Sequence, residues 1–140
     1  MQSSCPTSTS WRRSPAERAQ TREEAASLAA GLLRSGTRPG PAGVVVTLGR
    51  QGAVAVTAAG AAAARPLQHI SGNPTGAGDA ACAAVARALA LAGSLQALNL
   101  RALVTDVVAV SAAAVLRPVA GEIDVEAARR WRDDIPVEDL

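Results

Sequence analysis

The sequence predicts an α/β domain with a small antiparallel edge. Three observations predict it. A β-branched run without charge, Gly43–Leu48 (GVVVTL), suits a strand covered on both faces, as in a parallel sheet. Two short apolar runs, Ala53–Thr57 and Ala61–Leu67, are separated by turn residues and suit an antiparallel meander. Apolar residues at helical spacing stand before and after this region, which is the element order of an α/β domain.

Residues 1–20 are polar and show no periodicity. Within them Ser14-Pro15-Ala16-Glu17 has the pattern of a helix start, with Pro at the first helical position and Glu closing a capping box. Thr21–Arg34 reads as an amphipathic helix, because Ala25, Leu28, Ala29, Leu32 and Leu33 recur near a 3.6-residue period. SGTRPGPAG, residues 35–43, is a loop rich in breakers. GRQG (49–52) turns the first strand into AVAVT, and Ala58–Gly60 turns the chain again. Ala80–Leu91 carries one charge, Arg87, and so reads as a helix buried nearly all round. Gly93-Ser94 ends it. Leu95–Leu116 reads as one or two helices with Leu98, Val104, Val107, Val108, Val115 and Leu116 inward. Asp124 suits the N-cap of a last helix, Val125–Arg132, with Glu126 near its positive end. The end of the chain, DDIPVEDL, is polar and expected to fray. No internal repeat is visible.

Composition narrows the function classes. At 140 residues the chain suffices for one domain with a core. Roughly a quarter of it is alanine, and it contains no Phe, Tyr or Lys. The core must be built from Leu, Val, Ile and Ala, which bury less area per residue than aromatics do. Net charge is +2, and the arginines are scattered apart from Arg12-Arg13 and Arg129-Arg130. No basic stripe with interleaved aromatics is present, which argues against nucleic-acid binding. Cys5 and Cys82 have neither metal nor redox spacing. Cys82 reads as a small buried residue, and the setting as reducing and cytoplasmic. No apolar run is long enough to span a bilayer, and no apolar segment follows Arg12-Arg13 as a secretory signal requires.

The chemistry concentrates in SGNPTGAGDAACAA, residues 71–84. Gly76-Ala77-Gly78 supplies consecutive backbone amides with the freedom to turn toward one point. The helix that follows adds its unpaired first-turn amides and the positive end of its dipole. Together these make an anion hole, and Asp79 sits at its mouth. A carboxylate there can accept a proton from a hydroxyl, and an anion hole beside such a base is what phosphoryl transfer to an alcohol needs. A Walker loop is excluded, since the chain has no lysine. A dinucleotide fingerprint lacks its third glycine, because Ala81 stands there. A plain glycine-rich turn with Asp79 as a helix cap explains the same residues as well.

N-P-T-G-A-G-D-A followed by a helix of small residues resembles the signature of the ribokinase-like, PfkB-type carbohydrate kinases. The Asn73-Pro74 form is most similar to the 1-phosphofructokinase and tagatose-6-phosphate kinase branch. VVVTLGRQG (44–52) resembles the family's strand and Thr-x-Gly-x-x-Gly segment, and Ser111 to Ala114 with RPVAGEID (117–124) resembles its C-terminal end. The resemblance covers residues 21–135. It implies the C-terminal half of a three-layer α/β/α fold, preceded by an unmatched segment, 1–20, and followed by a tail, 136–140.

By the same resemblance, Asp79 is the base that deprotonates a sugar hydroxyl. Gly76, Ala77 and Gly78 hold the transferring phosphate, and Thr47, Gly49, Gly52 and Ser111 border the ATP site. ATP and Mg²⁺ are the implied cofactors, and a sugar or sugar phosphate the implied substrate. The family's upstream Asn-x-x-Glu motif has no match, since neither Asn73 nor Asn99 has Glu three residues later. A truncated start is therefore expected, and with it a second function class: a remnant without catalysis that keeps the nucleotide-half fold and associates through an exposed sheet edge. Other residues carry weaker signals. His69, the only histidine, precedes the loop and suits a structural role at a strand end. Trp11 and Trp131 suit packing, and Glu122 with Asp124 could serve a cation, although Asp124 suits a cap better. Arg50 and Arg65 are candidate phosphate contacts no more distinctive than other surface arginines.

Overall fold

The computed structural model describes residues 21–35 and 40–140. The expected helix start at Ser14–Glu17, the segment 1–20, Cys5 and Trp11 lie outside the described residues. The elements are helix α1 (Arg22–Arg34), strands β1 (Gly43–Thr47), β2 (Ala53–Thr57) and β3 (Gly60–Ala64), helices α2 (Ala77–Ala92), α3 (Leu100–Val115) and α4 (Val125–Asp134), and strand β4 (Val137–Asp139). A 3₁₀ turn, Gly49–Gln51, joins β1 to β2.

The four strands form one antiparallel sheet in the order β1-β2-β3-β4. Val45 pairs with Ala55, Ala55 with Ala62, and Ala63 with Glu138. Strand alternation sends two kinds of side chain to two faces. Val46, Val54 and Val56 pack on Ala25 and Ala29 of α1. Ala53, Ala55, Ala62 and Ala64 face the other way, onto Val104, Val107 and Val108 of α3. α4 lies on α3 through Ala113, Ala127 and Ala128, so the layers run helix, sheet, helix. The alanine face lets α3 sit close to the sheet, and its valines fill the space the alanines leave.

The helix starts obey local chemistry. Thr21 caps α1 by accepting from the Glu24 amide at 3.1 Å, and Asp124 caps α4 by accepting from Ala127 at 2.9 Å. Asn99 caps α3 in the same way through Ala102 at 3.0 Å. Thr21 and Glu24 have capping-box spacing, so the cap lies at this pair.

Five expectations need correction. The strand covered on both faces is β2; β1 is an edge strand with Gly43 to Val45 half-buried, and every pairing among the described residues is antiparallel. α2 is buried along one stripe, Ala80, Ala81 and Ala84, and leaves Leu91 77% exposed. Cys82 consequently faces solvent as a free thiol. Leu116 is exposed rather than inward, because α3 ends one residue earlier. The C-terminus does not fray at Val137–Asp139, which pairs with β3. The cause is common to all five. Hydrophobic sequence shows what is able to be covered, and neighbours decide what is covered.

Candidate functional site

The loop between β3 and α2 is tied down by one side chain. The Asn73 amide N–H donates to the Val115 carbonyl at 2.9 Å, and its Nδ2 donates to the Pro118 carbonyl at 3.0 Å. Its Oδ1 accepts from the Thr75 amide at 3.1 Å, closing an Asx turn over Pro74. Asn73 thus fastens the loop to the end of α3. Gly72 lies so close to the same helix end that a Cβ there would overlap the Val115 carbonyl oxygen.

Gly76 then turns the chain into α2 with φ at 89°, a left-handed conformation that glycine adopts without strain. It is the N-cap, with Ala77, Gly78 and Asp79 following as the first helical residues. Asp79 is therefore not the helix cap. The Ala77 amide donates to the Pro74 carbonyl at 3.2 Å, and the first intrahelical bond runs from the Ala80 amide to Gly76 at 2.9 Å. Of the first-turn amides, those of Gly78 and Asp79 are left pointing out of the helix start. The Asp79 side chain is exposed and has no hydrogen-bond or ion-pair partner among the described residues. Its charge is favourable at the positive end of the dipole.

A cavity of ≈ 700 Å³ opens beside this helix start. The hairpin contributes Thr47, Gly49 and Gly52 to its lining, the loop contributes Ala77 and Gly78, and α3 contributes Ser111. These six, separated by up to 64 positions in sequence (Thr47 to Ser111), meet around one space. Gly76 and Asp79 flank the lining residues in sequence without lining the cavity themselves. Gly52 has φ at 97°, and a Cβ there would overlap the Ala64 carbonyl oxygen, so the hairpin turn is pressed against the end of β3. The Ser111 hydroxyl donates to the Val107 carbonyl of its own helix at 2.7 Å, so its oxygen keeps the capacity to accept. His69 also lines the cavity and is exposed.

Sequence reasoning missed Asp106, the buried charged side chain of α3. It accepts from Arg87 of α2 and from Arg132 of α4, each at 2.6 Å, and so joins three helices. Its signal was a lone acid within an apolar helix. The role of Asn73 was also missed, although Asn-Pro-Thr is a sequence pattern for an Asx turn.

The family model described as pfkB family carbohydrate kinase matches residues 9–127. The chain belongs to the pfkB family of carbohydrate kinases. Over the matched part its fold is shared with solved phosphofructokinase-type structures. Phosphofructokinase-2 from Escherichia coli, solved in complex with potassium, is similar at 24% identity with a TM-score of 0.68, over 80% of this chain and 34% of that one. A phosphofructokinase candidate from Staphylococcus aureus superposes with a TM-score of 0.70 at 18% identity, over 87% of this chain and 36% of that one. A 1-phosphofructokinase candidate from Thermotoga maritima gives 0.66 at 22%, over 87% and 36%. The matched part thus spans about a third of the length of these solved structures. No curated protein matches the chain.

Proposed function

We propose that the chain is the nucleotide-handling part of an ATP-dependent kinase that phosphorylates a hydroxyl of a sugar or sugar phosphate. The observation that carries this reading is the meeting of the 47–52 hairpin with the 74–78 loop around one cavity. Its volume, ≈ 700 Å³, falls within the range of small-molecule sites. Glycine backbone at Gly49 and Gly78 allows close approach of a ligand, and family membership supplies the reaction class.

In this reading bound ATP supplies the phosphoryl group. The Gly78 and Asp79 amides hold the negative charge that develops on it, aided by the α2 dipole. The Asp79 carboxylate accepts the proton of the attacking hydroxyl, and its freedom from any described partner suits that task. The Ala77 amide is engaged by Pro74, so its part is to hold the turn. Among the described residues no group of three or more His, Cys, Asp or Glu comes together to hold a metal. In this reading Mg²⁺ would be carried on the nucleotide phosphates. A free thiol at Cys82 suits a reducing, cytoplasmic setting.

Calorimetry with MgATP tests the proposal. The wild-type chain should bind. Gly78→Val should abolish binding by filling the cavity wall, and Asp79→Asn should largely keep it. A folded chain that does not bind MgATP would overturn the reading.

One observation favours a second reading, in which the chain works by association. The outer edge of β1 pairs with no strand among the described residues, and an apolar groove of ≈ 250 Å³ runs between this strand and α1. Leu28 and Leu32 line it and are 37% and 44% exposed. An unpaired strand beside apolar surface is a template for another chain.

A further inference from the structure

Arg50 and Arg65 both line the ≈ 700 Å³ cavity. Arg50 belongs to the 3₁₀ turn of the hairpin, and Arg65 follows β3. The turn that carries Arg50 lies against the end of β3, since a Cβ on Gly52 would lie 2.7 Å from the Arg65 Cα. Six other arginines are tied in ion pairs: Arg22, Arg87, Arg101, Arg117, Arg129 and Arg132. The side chains of Arg50 and Arg65 have no such partner among the described residues. No described Asp or Glu lines the cavity either. Two uncompensated guanidiniums therefore share a space with the open start of α2. A guanidinium fork matches phosphate oxygens in geometry as well as in charge.

We propose that Arg50 and Arg65 form a two-arginine rim that grips the polyphosphate chain of the ligand in this cavity. The proposal rests on the nucleotide reading above and names the residues that select for a phosphorylated ligand. The sequence places Arg50 and Arg65 fifteen positions apart. The hairpin brings them to one rim, at the cavity that also receives Gly78. One phosphate chain then meets backbone amides at the helix start and guanidiniums at the hairpin. A nucleoside without phosphates has no use for the pair, and a hexose monophosphate offers a single phosphate rather than a chain of them.

The test is calorimetry on the full chain with ATP, adenosine, inorganic tripolyphosphate and a hexose monophosphate, at two salt concentrations. The variants are Arg50→Gln, Arg65→Gln, the double substitution, and Arg130→Gln as a control outside the cavity. Circular dichroism monitors the fold, which should not change because both side chains are exposed and lack partners among the described residues. Each single variant should weaken ATP and tripolyphosphate by about tenfold, and the double variant by more. Adenosine affinity should stay, and the salt dependence of ATP binding should shrink. Arg→Lys at either position should restore part of the loss, since charge returns without the fork.

ATP binding unaffected by the double variant would overturn the arginine rim and leave the nucleotide reading standing. An equal loss for adenosine, or a loss confined to the hexose monophosphate, would also overturn it. Tripolyphosphate binding that depends on both arginines, in a chain that binds neither ATP nor adenosine, would uphold the rim and sink the nucleotide reading. A folded wild type that binds none of the probes would overturn both.

Discussion

Asp106 sits 6% exposed between Arg87, whose side chain is 57% exposed, and Arg132, at 34%. Its carboxylate is buried while both cations reach water, so the acid depends on them more than they depend on it. Asp106→Ala should destabilise the chain by about 2 kcal/mol, measured by urea unfolding, because three helices lose the carboxylate that joins them while both guanidiniums keep water as a partner. Arg87→Ala should cost about 1 kcal/mol, since solvent screens an exposed cation and Arg132 still holds the acid. A loss for Arg87→Ala as large as that for Asp106→Ala would contradict this account. Gly52→Ala should be costlier than an exposed substitution, by about 2 kcal/mol or more. The left-handed φ and the Ala64 carbonyl both oppose a Cβ there, and the hairpin wall of the cavity would shift with it.

Among the elements, the loop before α2 depends on Asn73. Asn73→Ala removes two side-chain hydrogen bonds and should cost about 1–2 kcal/mol. Its larger effect should be on ATP affinity, because the loop that presents Gly78 loses its tie to α3. Calorimetry and unfolding on the same sample would separate the two, and an unchanged affinity would show that the loop keeps its shape unaided. α1 carries a pH signature. The Glu23 carboxyl is held below its ordinary value, first by its own backbone N–H and then by the Thr21 hydroxyl. A depressed carboxylate adds stability above its unfolded value, and the contribution disappears as pH falls through the lowered folded value. Helix content should therefore decline more steeply on acidification in the wild type than in Glu23→Gln, read by circular dichroism.

At the scale of the whole molecule, the sheet has one edge strand of five residues without charge, β1, and apolar side chains remain exposed on α1 and α2. Such a surface favours association. Sedimentation should show a dimer or larger species that dissociates on dilution. Leu28→Glu with Leu32→Glu should shift the population toward monomer while α1 stays folded, because both side chains line the groove and neither is buried. A monomer at every concentration would count against association through this edge. The same exposure accounts for Cys82. Nothing described covers its side of α2, so a residue type that is usually buried stands in solvent.

What the sequence determined by itself is local. Thr21 and Asp124 announce their helices because a cap is satisfied within three residues, and Gly49, Gly52 and Gly76 announce turns because their backbone conformations favour glycine. The GAGD signature carried the family for the same reason, as a short run with its own chemistry. The tertiary structure decided what lies between distant segments. It made β4 a strand only because β3 offers a free edge, and it left β1 half-exposed because nothing described pairs beyond it. It also brought Arg50 and Arg65 to one cavity and buried Asp106 between two arginines. Pairing, covering and charge balance are properties of neighbours in space, and the linear order of residues does not state them.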